Sequence, residues 1–129
     1  MAEQVLQVTD RRTTDEATLR SAVVNDRNGL TVLLEGELDL ATGPDLYSEL
    51  DRLLALAPRA LVLDLSRLTF IDSTGVSVLN TTREHALARG VHFALQAPSR
   101  AVERVLEITA LWEHFDTRPS RFEDASFEW

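Results

Sequence analysis

Ala60-Leu61-Val62-Leu63-Asp64-Leu65-Ser66-Arg67-Leu68-Thr69-Phe70-Ile71-Asp72-Ser73-Thr74-Gly75 joins an apolar run to a polar quartet in sixteen residues. Its first six residues are almost wholly apolar and rich in Val and Leu, the composition of a short strand covered on both faces. Residues 66–71 read as a brief connection. Asp72-Ser73-Thr74-Gly75 then opens a helix, because Asp and Ser are favoured N-caps. The inner face of that helix is expected to use Val76, Leu79, Ala86 and Leu87, with Gly90 closing it.

The pattern repeats on either side. Upstream, Thr42-Gly43-Pro44-Asp45 resembles a helix start, with Thr42 as cap, Pro44 in the first turn and Asp45 reaching back to free N–H groups. Leu46, Leu50, Leu53, Leu54 and Ala57 follow at three- and four-residue steps, leaving Asp45, Glu49, Asp51 and Arg52 for solvent, and Pro58 ends the helix. Before it, residues 19–24 and 30–36 read as two strands joined by Asn25-Asp26-Arg27-Asn28-Gly29, a hairpin turn by its Asn and Gly. Downstream, residues 91–95 form another short strand. Ser99 caps a helix with Val102, Val105, Leu106 and Thr109 on one side, and Phe115-Asp116-Thr117 adds a short edge strand. Strand and helix thus alternate from Leu30 to Thr109 with spacings that suit right-handed parallel crossovers. The expected class is α/β, a mixed and mainly parallel sheet with an N-terminal hairpin and helices packed on it.

At 129 residues the chain fits one domain, and its 44% hydrophobic and 26% charged content is that of a globular protein. Residues 1–17 are polar and weakly periodic and read as a loosely held extension, residues 18–118 as the domain, and residues 119–129 as a tail whose Phe122, Phe127 and Trp129 either dock or hang free. The net charge of −8 repels polyphosphates and anionic head groups, which argues against a nucleic-acid or membrane partner. With no cysteine, neither a disulfide framework nor a thiolate metal site is possible. Met1-Ala2-Glu3-Gln4 lacks the basic start and apolar run of a signal peptide and no stretch is long enough to span a membrane, so a cytoplasmic location is expected.

The chemistry-bearing position is the quartet at Asp72. Several N–H groups point outward at a helix start, which suits either an anion or a presented hydroxyl, yet capping alone accounts equally well for these residue types. The spacing does not decide between the two. Enzymatic readings fare worse. Ile71-Asp72-Ser73-Thr74-Gly75 is not a Gly-x-Ser-x-Gly elbow, and no Gly-rich loop ending in Lys-Ser or Lys-Thr occurs. A serine nucleophile also needs a base, whereas His85 falls in a helix, His92 in a strand and His114 near the tail. No His pair stands at zinc spacing, and Glu35, Glu37 and Asp39 read as solvated loop carboxylates. No cofactor or metal is expected, and the chain reads as a binding module rather than an enzyme.

Two motifs together resemble the STAS domain, specifically the bacterial anti-sigma factor antagonists. Gly36-Glu37-Leu38-Asp39, followed by Thr42, resembles the family's Gly-Glu-Leu-Asp signature at the end of the second strand. Phe70-Ile71-Asp72-Ser73-Thr74-Gly75 resembles its phosphorylation motif, with one helix and one buried strand between the two. The resemblance implies a STAS fold and a partner-switching cycle. The unmodified antagonist binds an anti-sigma factor that is also a serine kinase, which frees a sigma factor; phosphorylation by that kinase reverses the binding, and a serine phosphatase resets it. Carried onto this chain, the resemblance makes Ser73 the phosphoacceptor, Asp72 its orienting neighbour and Gly75 the residue that permits a close turn. Asp39, Leu40, Thr42, Asp72, Ser73, Thr74, Gly75 and Val76 become the partner-binding surface, with the Asp39 loop beside Ser73. The alternative within the same fold is a non-switching scaffold of a transporter or larger signalling assembly, in which Asp72 and Ser73 merely cap.

Overall fold

The computed structural model describes the backbone of residues 4–12 and the whole of residues 18–118. Six strands, β1 (Gln4–Arg12), β2 (Thr18–Asp26), β3 (Gly29–Leu38), β4 (Ala60–Ile71), β5 (His92–Gln96) and β6 (Asp116–Arg118), lie side by side in chain order. The first two pairings are antiparallel and the remaining three parallel, so the sheet is mixed, as expected. The parallel strands are joined by α1 (Gly43–Leu54), α2 (Ser73–Ala88) and α3 (Arg100–Ile108), and a 3-10 turn at Trp112–His114 precedes β6.

The expected hairpin is β2–β3, turning at Arg27-Asn28 with Asp26 Oδ1 accepting from the Asn28 N–H at 2.8 Å. Gly29 is required there: its φ is +132°, and an added Cβ would run into the backbone of Ala60. One expectation fails upstream. Part of the segment read as a loose extension is β1, paired with β2 along most of its length. Its polar sequence hid it because an edge strand is held by main-chain hydrogen bonds on one side and needs no apolar run.

A second correction concerns β4. Residues 66–71 are not a connection; the strand runs on to Ile71, with Glu35↔Arg67 through Leu38↔Ile71 as partners in β3. Register shifts at Leu33/Glu35 and Gly36/Glu37 break the period-two pattern, so Ser66, Arg67, Thr69 and Phe70 are exposed while Leu68 and Ile71 stay buried. Those irregularities concealed the strand.

The core lies between the sheet and the helices. Leu46, Leu50, Leu53 and Leu54 of α1, Val76, Leu79 and Ala86 of α2, and Val102 and Leu106 of α3 join one apolar cluster with Leu34, Leu63 and Leu95 of the sheet. Three side-chain placements differ from expectation, the first being Ala57, which lies beyond the end of α1 and is exposed. Leu87 is 63% exposed, since it lies one helical step beyond Ala86, and Thr82 occupies the inner face instead. Glu49, assigned to solvent, is 3% exposed: it turns inward and accepts a 3.0 Å hydrogen bond from the Ser21 hydroxyl of β2. Ser99 caps α3 as expected, its hydroxyl accepting from Val102 N–H and donating to the Leu68 carbonyl. Among the described residues no helix is long and apolar enough to cross a membrane.

Candidate functional site

The site forms where β3 and β4 end side by side and hand over to α1 and α2. Leu38 and Ile71 are register partners, so Asp39 and Asp72, the next residue on each strand, emerge together. The Asp72 N–H donates to the Leu38 carbonyl at 3.2 Å, extending the ladder by one step.

Asp72 then works in two directions. Its Oδ1 accepts from the Gly75 N–H at 2.9 Å, which is the N-cap of α2, and its Oδ2 accepts from the Leu40 N–H at 3.2 Å. One carboxylate therefore ties the start of α2 to the loop that follows β3. Ser73, immediately after it, is the first residue of α2 and is exposed. The Gly75 N–H is taken by the Asp72 side chain and the Val76 N–H by the Asp72 carbonyl, whereas the N–H groups of Ser73 and Thr74 precede any helical acceptor. The helix start presents a hydroxyl beside outward-pointing donors, an arrangement that accommodates negative charge.

The loop of residues 39–42 is closed by its own side chains. Asp39 Oδ1 accepts from the Ala41 N–H at 3.0 Å, the Thr42 N–H at 3.1 Å and the Thr42 hydroxyl at 3.3 Å. The Asp39 N–H donates to Thr42 Oγ1 at 3.1 Å, and that hydroxyl lies 2.8 Å from the Glu37 carbonyl, its nearest acceptor. Thr42 was expected to cap α1, but its side chain makes no capping bond and turns back to brace the loop instead. Gly36 allows the strand to reach this point, with φ +118° and a Cβ position filled by the Thr18 carbonyl.

The eight expected surface residues sort by burial into two groups. Leu40, 73% exposed, and Ser73 stand at the surface, with Asp39, Asp72 and Thr74 partly exposed beside them. Thr42 at 1% and Val76 at 4% are buried, so they support the surface rather than contact a partner. Gly75 is buried as well. A Cβ there would sit 2.7 Å from the Leu38 carbonyl oxygen and 2.6 Å from Ile71 Cγ1, so the close approach of α2 to the strand ends requires glycine. Gly43 of α1 makes a milder version of the same contact, its Cβ position lying 3.2 Å from Thr74 Cγ2. The Asp39 loop therefore lies beside the Ser73 turn, as expected. Sequence reasoning overlooked one surface residue. Phe70, two positions before Asp72 and opposite Glu37 in β3, is a 48% exposed aromatic side chain close in sequence to the site. Its place two residues before Asp72, beyond the buried first half of β4, was the available signal.

The histidines lie away from Ser73. His85 follows twelve residues later on α2, about 18 Å along the axis at the rise of an α-helix, and pairs with Asp51 of α1 at 3.3 Å. His92 pairs with Asp116 at 2.8 Å at the start of β5, and His114 is exposed in the 3-10 turn. A cavity of about 350 Å3, lined by Asn25, Arg27, Leu56 and Arg59 among others, sits at the turn end of β3, away from Ser73. Among the described residues no cluster of three or more His, Asp or Glu is placed to hold a metal.

Comparison with known proteins gives this geometry a context. The family model of the STAS domain matches residues 20–123. The anti-sigma-F factor antagonist RsfB of Mycobacterium tuberculosis is 33% identical over 96 residues, which cover 74% of this chain and 78% of the relative. The crystal structure of an anti-sigma factor antagonist from Mycobacterium paratuberculosis superposes with a TM-score of 0.73 at 30% identity, over 80% of this chain and 87% of that one. The antagonist SpoIIAA of Bacillus shares the fold at 20% identity. Its unphosphorylated form gives a TM-score of 0.63 over 96% of this chain and 92% of that one, and its phosphorylated form 0.61 over 96% of both.

Proposed function

The chain belongs to the STAS-domain family, and from that premise we propose that it is an anti-sigma factor antagonist switched by phosphorylation of Ser73. Unmodified, it binds an anti-sigma factor that is also a serine kinase and thereby releases a sigma factor; a serine phosphatase restores the unmodified state. The observation that carries this reading is the Asp72 clasp. It fixes an exposed serine at a helix start and locks the neighbouring Leu40 loop to the same carboxylate.

The physics of such a switch follows from its position. A phosphate on Ser73 adds about −1.5 to −2 charges at the positive end of a helix dipole, which the domain tolerates. A partner docked over Leu40, Phe70 and the Ser73 hydroxyl meets that charge beside the Asp72 and Asp39 carboxylates. Like-charge repulsion and desolvation then act together at the interface, and about 1.4 kcal/mol of loss already weakens binding tenfold. In this reading Leu40 and Phe70 supply apolar contact, Asp39 and Thr42 hold the loop, and Thr74, Gly75 and Val76 seat the helix.

The test is to incubate the purified chain with ATP and its cognate anti-sigma kinase and to map phosphate by mass spectrometry. Modification at Ser73 is expected and none on Ser73→Ala. Ser73→Asp is expected to bind the kinase at least tenfold more weakly than wild type, while Ser73→Ala binds in the presence of ATP as tightly as the unmodified chain. An unmodified Ser73 together with undiminished binding of Ser73→Asp overturns the switch.

A further inference from the structure

The end of the sheet opposite Ser73 carries the cavity of about 350 Å3. The ten residues of β3 separate the two places by about 30 Å at the rise of a strand. Three segments build the cavity: the β2–β3 turn, the chain that leaves α1, and the start of β4. Gly29 packs against the backbone of Ala60, where a Cβ would lie 2.8 Å from the Ala60 nitrogen, and this contact sets the turn that carries Arg27 against the segment that carries Arg59. Beyond α1 the chain reverses at Ala57, with φ +52°, between Leu56 and Pro58. Leu56 and Pro58, together with Leu30, give the cavity an apolar wall. An apolar hollow of this size with a few polar groups aimed into it is of the kind that holds small molecules.

The polar groups decide the sign of the ligand. Arg20 and Arg67 converge on one carboxylate, Glu35, at 3.3 and 3.8 Å. Arg27 and Arg59 instead converge on the cavity, and among the described residues neither guanidinium has an ion-pair partner. Asp26 lines the same wall, its Oδ1 accepting from the Asn28 N–H at 2.8 Å, so one positive charge remains in excess. α1 also ends here, but its Leu53 and Leu54 carbonyls are taken by the Leu56 and Ala57 N–H groups at 3.1 and 2.9 Å, which leaves the arginines to set the local field. Guanidinium groups match the planar, two-oxygen geometry of a carboxylate. A single excess charge suits a monoanion, whereas a dianionic phosphate would also meet Asp26. We propose that this cavity binds a small organic carboxylate, with its charged end held by Arg27 and Arg59 and a compact apolar body against Leu30, Leu56 and Pro58. This site stands apart from the role of Ser73.

The experiment is a titration of the full, nitrogen-15-labelled chain with phenylacetate up to about 10 mM, followed by amide shifts, a range that reveals dissociation constants into the millimolar region. Saturable shifts are expected at the amides of Arg27, Gly29, Leu30 and Arg59. No saturable shift overturns the proposal, and so do shifts confined to residues 73–76, where the start of α2 also attracts anions. Acetate keeps the charge without the body and phenylethanol keeps the body without the charge, so each is expected to bind about tenfold more weakly or worse. Equal binding of either overturns the ligand class. Arg27→Gln and Arg59→Gln change exposed side chains and are expected to keep the circular dichroism spectrum of the wild type while each weakens phenylacetate binding several-fold. Undiminished binding by the double variant places the ligand elsewhere and overturns the site.

Discussion

At Asp72 one side chain performs two separable tasks, and substitution can divide them. Asp72→Ala removes the cap of α2 and the acceptor for Leu40 N–H, and a lost cap costs about 1 kcal/mol. Asp72→Asn keeps a carbonyl oxygen for the cap and is expected to retain most of that stability in urea denaturation. Both variants weaken the tie to the Leu40 loop, so both are expected to lower kinase affinity, although only the alanine is clearly less stable. Gly75 is a steric matter instead. A methyl 2.7 Å from the Leu38 carbonyl oxygen forces α2 away from the strand ends, and Gly75→Ala is expected to cost about 1–3 kcal/mol in the same measurement. A chain of undiminished stability would mean that α2 shifts freely, and the fixed position of Ser73 would lose its support.

Elements whose apolar spacing matches their period were legible from the sequence. The Leu46, Leu50, Leu53 and Leu54 stripe of α1 and the unbroken run at the start of β4 both took the expected form. Elements defined by main-chain pairing were not. The mostly polar β1 carries only a weak periodic signal, and the far half of β4 is hidden by register shifts that let exposed and buried residues fall out of alternation. The site shared this division: motif and order placed Asp72, Ser73 and the Asp39 loop together and helical spacing turned Val76 inward, but no local rule shows that Thr42 faces inward or that Phe70 faces out. Glu49 is the sharpest case, a charge on a helix that packing draws beneath the surface. Its tie to β2 runs through the Ser21 hydroxyl, and hydrogen bonds to charged groups contribute about 1.5–3 kcal/mol. Ser21→Ala is therefore expected to destabilise the chain by about that amount in urea unfolding, well beyond the loss of a surface hydroxyl.

For the whole molecule the decisive property is that Ser73 stands outside the apolar cluster that holds the fold. Ser73 is exposed at the first position of α2, while the cluster that holds the fold begins one turn deeper at Val76 and Leu79 and continues through the sheet. Negative charge at Ser73 also meets the favourable end of the helix dipole, an effect of a few tenths to about 1 kcal/mol that offsets repulsion from Asp72. Under the proposed switch, the charge added at Ser73 would fall on the surface and leave the fold intact. Ser73→Asp is expected to melt within about 2 °C of wild type by circular dichroism, since in a domain of this size a 1 kcal/mol change moves the midpoint by only a few degrees. Val76→Asp, three residues along the same helix, places a carboxylate at a site that is 4% exposed and is expected to lower the midpoint by far more or to prevent folding. If Ser73→Asp melted like Val76→Asp, its weaker binding would report unfolding, and the separation of switch from scaffold would fail.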